Sequence, residues 1–240
     1  MTKKANFQVD PKLAELLGET YKSTEDATKE LVDNAFDADA DNIWVTLPAP
    51  LTPDAVVTIV DDGTGMKEHE LRTEYLKIAS SRLLRKGEKT YNKQRTVKGR
   101  KGIGKFSGLM VAEIMEIKTK AGGKETTLII TKEELAKEKY DLEKVDLPIS
   151  VTDCPKNEHG TTITLKGLNQ NFDFPNPEKL KQILVWDYGR VSDLSIFVND
   201  EKIGIQDFQG KTIEKNIVLE NGKTAKIIYK SPTNQLVEQG

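Results

Sequence analysis

Glu30-Leu-Val-Asp-Asn34-Ala-Phe-Asp37-Ala-Asp-Ala40 is the stretch on which the fold turns. At about 100° per residue it reads as a helix with Glu30, Asp33, Asn34 and Asp37 on one narrow arc. Leu31, Val32, Ala35, Phe36 and Ala38 take most of the rest. That apolar arc is wider than a surface helix needs, so the helix is expected to pack on a sheet with its polar stripe facing a cavity. Three carboxylates beside a carboxamide repel one another, which is costly unless a cation or a water network lies against them. Glu30 and Asn34, one turn apart, can hold a general base and a neutral metal ligand side by side. A solvated helix face has the same pattern, so other stretches must point to the same ligand.

Working outward, Ser23-Thr24-Glu25-Asp26 offers N-cap candidates for this helix. Upstream, Leu13, Leu16 and Leu17 follow Pro11 at helical spacing and predict a short helix ending near Gly18. Downstream, Asn42 to Leu47 reads as a strand stopped by Pro48 and Pro50. Ala55-Val-Val-Thr-Ile-Val60 is β-branched and nearly all apolar, which suits an interior strand. It runs into Asp61-Asp62-Gly63-Thr64-Gly65-Met66. Paired glycines let the chain turn sharply and let a ligand approach without a Cβ in the way. Asp61 can accept a hydrogen bond from an exocyclic amino group while Met66 lies against a flat ring. A strand-to-helix turn capped by Asp would look the same.

Glu70 to Lys77 continues as a helix, and Ile78-Ala-Ser-Ser81 leads into a basic block. Arg82 to Lys105 holds ten Lys/Arg against one acid, Glu88, so it carries +9 in a chain of net charge −2. A local basic block in an otherwise acidic protein suggests a polyanion held in one place. Its middle, Arg85 to Gly102, lacks hydrophobic periodicity and is expected to be a long, mobile loop. It closes on Gly99-Arg-Lys-Gly102-Ile-Gly104-Lys105-Phe-Ser-Gly108, where glycines free backbone N–H groups to point at one anion. Phe106 to Met115 is expected to supply a helix N-terminus there. A Walker A loop fails because Phe106 sits where the magnesium-binding hydroxyl belongs, and a dinucleotide loop fails at Ser107. A phosphate loop of another kind and a glycine-rich hinge both remain open.

Strands are expected at 113–119, 126–131, 161–165 and 194–198, and helices at 132–139 and 178–191. Asn199-Asp200 and Asn221-Gly222 read as hairpin turns. Gly160-Thr161 opens a strand whose threonine can bridge to Asp61 or to a ring nitrogen. His69 and His159, the only histidines, are read as structural or solvated.

The 240 residues suit one large domain or a domain with an appendage. Hydrophobic residues make up 37% and charged ones 31%, polar for a globular chain but not disordered. A single cysteine, Cys154, excludes an intrachain disulfide and a cysteine zinc cluster. No apolar run approaches membrane-spanning length and the start lacks an apolar leader core, so a cytoplasmic protein with no membrane partner is expected.

Four stretches in this order resemble the ATP-binding boxes of the GHKL superfamily. That superfamily groups gyrase B subunits, heat-shock chaperones of the ninety-kilodalton class, sensor histidine kinases and MutL-type mismatch-repair proteins. Glu30 to Ala38 looks like the N box, Asp61 to Gly65 like the first glycine box, Gly99 to Gly108 like the second and Gly160-Thr161-Thr162 like the last. The resemblance implies an α+β fold of the Bergerat type, a two-layer α/β sandwich with a mixed, mostly antiparallel sheet and helices on one face. It implies ATP and Mg2+ as cofactors. Glu30 would activate the attacking water, Asn34 would bind magnesium, and Asp61, supported by Thr161, would recognise the adenine amino group. Gly63 and Gly65 would let the adenosine approach, with Met66 against the base. Gly99, Gly102, Gly104 and Lys105 would hold the phosphates under a lid formed by residues 82–105. Asp37, Ser81, Ile103 and Phe106 complete the nucleotide-lining set.

The N box followed by Asp39 to Val45 looks more like MutL-type or MORC-type ATPases than the chaperones. These ATPases usually carry a transducer domain with a lysine that reaches the γ-phosphate. The expected organisation is therefore an ATP-binding domain over 1–200 and a β-hairpin extension over 201–240 that would begin a transducer. The leading function is a magnesium-dependent ATPase of a clamp, slow in this piece and acting on a DNA or protein client, with a nucleotide-dependent homodimer in a longer chain. A nucleotide sensor or kinase-like domain is the alternative. A nucleic-acid module using the basic block comes last, because the block offers only Tyr91 for stacking.

Overall fold

Ser23 starts the first long helix. Its hydroxyl accepts the Asp26 N–H at 3.1 Å, and Glu25 and Asp26 in the first turn suit the helix dipole. The helix, α1, spans Thr24–Asp37 and buries Ala27, Leu31, Val32, Ala35 and Phe36, the apolar arc expected from the spacing. It stops where Asp39 takes the left-handed conformation, at φ 62°. The structure is a computed structural model. It describes residues 3–5, 8–9, 23–48, 52, 54–78, 87–99, 102, 104–137, 145–171, 173–208, 210–219 and 222–231. The helix expected around Leu13 to Gly18, and Ser81 and Ile103 of the expected nucleotide-lining set, lie outside these residues.

The strands, in chain order, are β1 (Lys3–Ala5), β2 (Gln8–Val9), β3 (Asn42–Thr46), β4 (Val57–Asp61), β5 (Lys77–Ile78), β6 (Ala112–Ala121) and β7 (Lys124–Thr131). They continue with β8 (Leu147–Asp153), β9 (Gly160–Leu168), β10 (Ser195–Val198), β11 (Glu201–Lys202), β12 (Lys211–Val218) and β13 (Thr224–Ser231). Nine form one sheet in the order β1-β8-β7-β6-β9-β4-β3-β10-β11. Every pair in it is antiparallel except β3 with β10, so the sheet is mixed and mostly antiparallel. The β10–β11 turn uses Asn199 and Asp200, both at positive φ (48° and 66°), as the sequence predicts.

One face of the sheet is buried. Ile43, Val45, Val57, Ile59, Met115, Ile117, Leu128, Ile130, Ile163 and Leu165 share a core with α1 and with the helix Pro177–Tyr188, which supplies Leu180, Leu184 and Val185. Helix and sheet thus make the expected two-layer α+β sandwich. Three local expectations change. The helix read from Glu70 is a short α-turn, Glu68–Glu70, running into a π-helical turn, Leu71–Tyr75. The helix expected from Phe106 to Met115 is a 3-10 turn, Gly104–Phe106, and a single α-turn, Gly108–Val111, before β6 begins. β8 is an additional strand that the sequence does not announce, because Pro148 sits at its second position. Among the described residues β12 and β13 pair only with each other, and Lys230 Nζ donates to the Gln206 and Phe208 carbonyls.

The basic block is the larger difference. Within its described residues the protein's own acids, carbonyls and rings receive its cations. Arg95 is only 8% exposed. Its guanidinium donates to Ala40 O at 2.8 Å and Asp193 Oδ2 at 2.9 Å, and lies 4.7 Å over the Phe36 ring. Lys93 pairs with Asp41, and Lys98 sits 4.0 Å over the Tyr188 ring. A bridge between Lys89 and Thr96 closes the segment, and Asp39 accepts the Asn92 N–H at 2.7 Å. Arg95→Ala removes a buried guanidinium's hydrogen bonds to Ala40 O and Asp193 together with the ring contact. The expected loss is about 2–4 kcal/mol of stability, read from urea unfolding.

Candidate functional site

The β4–β9 register sets Asp61 directly opposite Thr161. Asp61 ends β4 on the buried face, in line with Val57 and Ile59. Its Oδ1 accepts the Gly63 N–H at 2.9 Å, and the Thr161 backbone N–H also donates to the carboxylate. Burial outweighs these donors and pushes the Asp61 carboxyl up to about 7, with Asp62 adding to the rise. Asp62 plays a different part. It accepts the Asp41 and Asn42 N–H groups, each at 2.8 Å, and so fixes the start of β3.

The glycines after Asp61 are required by space. A Cβ on Gly65, at φ 62°, would stand 2.0 Å from the Lys120 carbonyl oxygen, and one on Gly63 2.6 Å from the Ala38 carbonyl oxygen. Gly65→Ala is expected to cost on the order of 3 kcal/mol, because strained φ and a backbone clash add. Its urea midpoint, against the parent, measures this. Thr64 N donates to Ala38 O at 2.9 Å, His159 Nδ1 lies 2.8 Å from Gly63 O, and Met66 N donates to Thr119 Oγ1 at 2.8 Å. Asp61, Gly63, Gly65, Met66 and Thr161 therefore form one tied loop-and-strand unit at the end of α1.

The same helix holds the second glycine stretch. Asp37 Oδ1 accepts the Lys98 N–H and Oδ2 the Gly99 N–H, both at 2.9 Å. Buried Ser107 donates to Ala27 O at 2.7 Å. The acids on the polar stripe are thus answered largely by the protein itself. Asp33 accepts from Tyr188 and, at 3.0 Å, from Lys29, which also pairs with Asp187 at 2.9 Å. Glu30 is half-buried, and desolvation first, then the charges of Asp33, Asp26 and Asp37, raises its carboxyl above the usual range against the pull of Lys29. A carboxylate made more basic in this way suits proton abstraction.

Asn34, one turn from Glu30, stays outside this network. Its Nδ2 is buried with no partner among the described residues. A buried N–H donor left unbonded costs about 1–3 kcal/mol, and what it calls for is an acceptor oxygen, not a cation. No group of three His, Cys, Asp or Glu among the described residues can hold a metal ion. Magnesium does not need one, since it keeps waters and phosphate oxygens and takes one or two protein ligands. On Asn34 that role would fall to the carboxamide Oδ1, with Nδ2 left to donate to a phosphate or water oxygen.

The other described positions of the expected set have partners of their own or a defined backbone. Lys105 Nζ donates to the Lys77 and Glu74 carbonyls at 2.7 and 3.1 Å. Phe106 packs edge-on against Tyr75, with ring centroids 5.5 Å apart. Gly102 takes a left-handed φ of 75°, and Gly104 is buried in the 3-10 turn. Thr119, Ser107 and Arg95 take part in the site's framework although sequence reasoning does not single them out. Ser107 lies in a motif that draws attention for its glycines, and nothing in a basic run marks one arginine as buried.

Three chaperones, each called HtpG, are similar to this chain. That of Oceanobacillus iheyensis is 29% identical over 57% of this chain and 20% of its own length. That of Bacillus velezensis is 27% identical over 68% and 27%, and that of Alcanivorax borkumensis 25% over 83% and 34%. The matched region thus spans a fifth to a third of those proteins. The family model described as histidine kinase-, DNA gyrase B- and HSP90-like ATPase matches residues 21–161. That match covers more than half of the chain and all four boxes up to Thr161, and the chain belongs to this family.

Proposed function

We propose that this chain binds ATP with magnesium and hydrolyses it slowly, as the nucleotide-driven part of a clamp. The observation that carries the reading is α1 itself. It presents a basic Glu30 and the Asn34 carboxamide on one side while its end ties the Asp61 loop to the second glycine stretch. Asp61 and Thr161 would receive the adenine edge, with Met66 against the ring. Asn34 would hold magnesium, which when bound would neutralise phosphate charge. Glu30 would take the proton of the attacking water. Calorimetric titration with ATP, with and without magnesium, tests this: magnesium-dependent binding is expected, and no binding in either condition rejects it.

The contacts of Asp37 and Lys105 favour slow turnover. Asp37 occupies the Lys98 and Gly99 N–H groups, and Lys105 faces carbonyls. Both residues are engaged within the chain in this arrangement, which also supports the second reading, a nucleotide sensor without efficient hydrolysis. The similar chaperones favour a protein client, whereas the run Asp39 to Val45 supports the MutL-type or MORC-type comparison and a DNA client. In this reading the ATP-binding unit ends near residue 200 and the β12–β13 hairpin opens an appended region that would complete the site. The closed form of a longer chain would be a homodimer.

A further inference from the structure

Strand register builds one row of polar side chains across the buried face of the sheet. Asp61 on β4 stands opposite Thr161 on β9, Thr161 opposite Thr119 on β6, and Thr119 opposite Thr126 on β7. Side chains in such a row share a face. Thr119 and Thr126 are fully buried, and Thr126 Oγ1 has no partner among the described residues. Thr119 is the junction of the row. Its Oγ1 accepts the Met66 N–H at 2.8 Å and lies 3.2 Å from Thr161 Oγ1 and 3.3 Å from Gly160 O.

A hydroxyl has one proton. If Thr119 gives its proton to Gly160 O, Thr161 must donate inward to Thr119 and shows only lone pairs to a ligand. If Thr119 donates to Thr161, the Thr161 proton is free to point outward. Both contacts lie within hydrogen-bond reach, so the geometry admits either arrangement, and the base that is bound selects between them. Adenine presents a ring nitrogen acceptor beside its amino donor, so it needs a donor next to the Asp61 acceptor. A 6-oxo purine presents the reverse pair.

We propose that Thr119 is a positioning residue that sets purine selectivity: it orients the Thr161 hydroxyl as an outward donor and anchors the Met66 backbone. The inference rests on the nucleotide reading above. A site built to pair polar groups discriminates strongly, because a mismatched base leaves buried groups unpaired. Thr119→Val keeps the shape and removes the hydroxyl.

Magnesium complexes of ATP and of inosine triphosphate are titrated calorimetrically into the parent, Thr119→Val and Thr119→Ser. The parent should prefer ATP. Thr119→Val should bind ATP about tenfold more weakly and lose most of the preference, and Thr119→Ser should restore both. If the valine variant does not unfold cooperatively, Thr119→Ala is read in its place. An unchanged ATP-to-inosine-triphosphate ratio in the hydroxyl-less variant, or no rescue by serine, overturns the proposal. If the parent binds ATP and Asp61→Asn weakens it while that ratio stays unchanged in Thr119→Val, only the Thr119 inference fails. If the parent binds neither nucleotide, the nucleotide reading fails and takes this one with it.

Discussion

Glu30→Gln is expected to slow ATP hydrolysis by about 10²–10⁴-fold, the usual worth of a positioned general base, with ATP affinity nearly unchanged. The substitution keeps the length and planarity of the side chain and removes only its ability to take a proton. The setting of Glu30 suits it to this role: half burial and the nearby Asp33, Asp26 and Asp37 charges raise its pKa, while Lys29 opposes them. The active form is the carboxylate. The parent rate should therefore fall as pH drops through a value above the ordinary carboxylate range, and the glutamine variant should lack that limb. Single-turnover rates by chemical quench across a series from acid to neutral pH measure both effects. A glutamine variant hydrolysing at the parent rate would assign the base to another residue.

Asp61→Asn is expected to weaken ATP binding by roughly one to two decades, since it turns an acceptor into a donor facing the adenine amino group. An unsatisfied buried pair costs about 1–3 kcal/mol. The pH dependence sharpens the test. In the free protein burial raises the Asp61 carboxyl from its ordinary 3.8 to about 7. Stability from this group is therefore full below its unfolded value and is lost as pH rises through about 7. Binding has the opposite sign, because an amino donor favours the anion. ATP affinity should be highest above that pH and fall as pH decreases through it. The asparagine variant should lose both trends, and comparing the two proteins at each pH cancels the titration of ATP itself. A folded Asp61→Asn protein with parent affinity would remove base recognition from this residue.

Much of the frame was legible because its signals are local. The 3.6-residue spacing of Leu31, Val32, Ala35 and Phe36 and the Ser23 cap define α1 within fifteen or so residues. The β-branched run ending at Asp61 defines β4, and Asn199-Asp200 defines its turn by backbone preference alone. The ordered boxes led to the family, and through it to the fold class. Tertiary structure decided what depends on partners far along the chain. Whether Asp33 and Asp37 face a ligand or the protein turned on Tyr188 and on the Lys98 and Gly99 amides, which no helical period encodes. Arg95 became a buried strut because Asp193, distant in sequence, meets it beside Phe36. Thr119 looked like any strand threonine until register set it beside Thr161, since alternation gives a residue its face and only pairing gives it its neighbour.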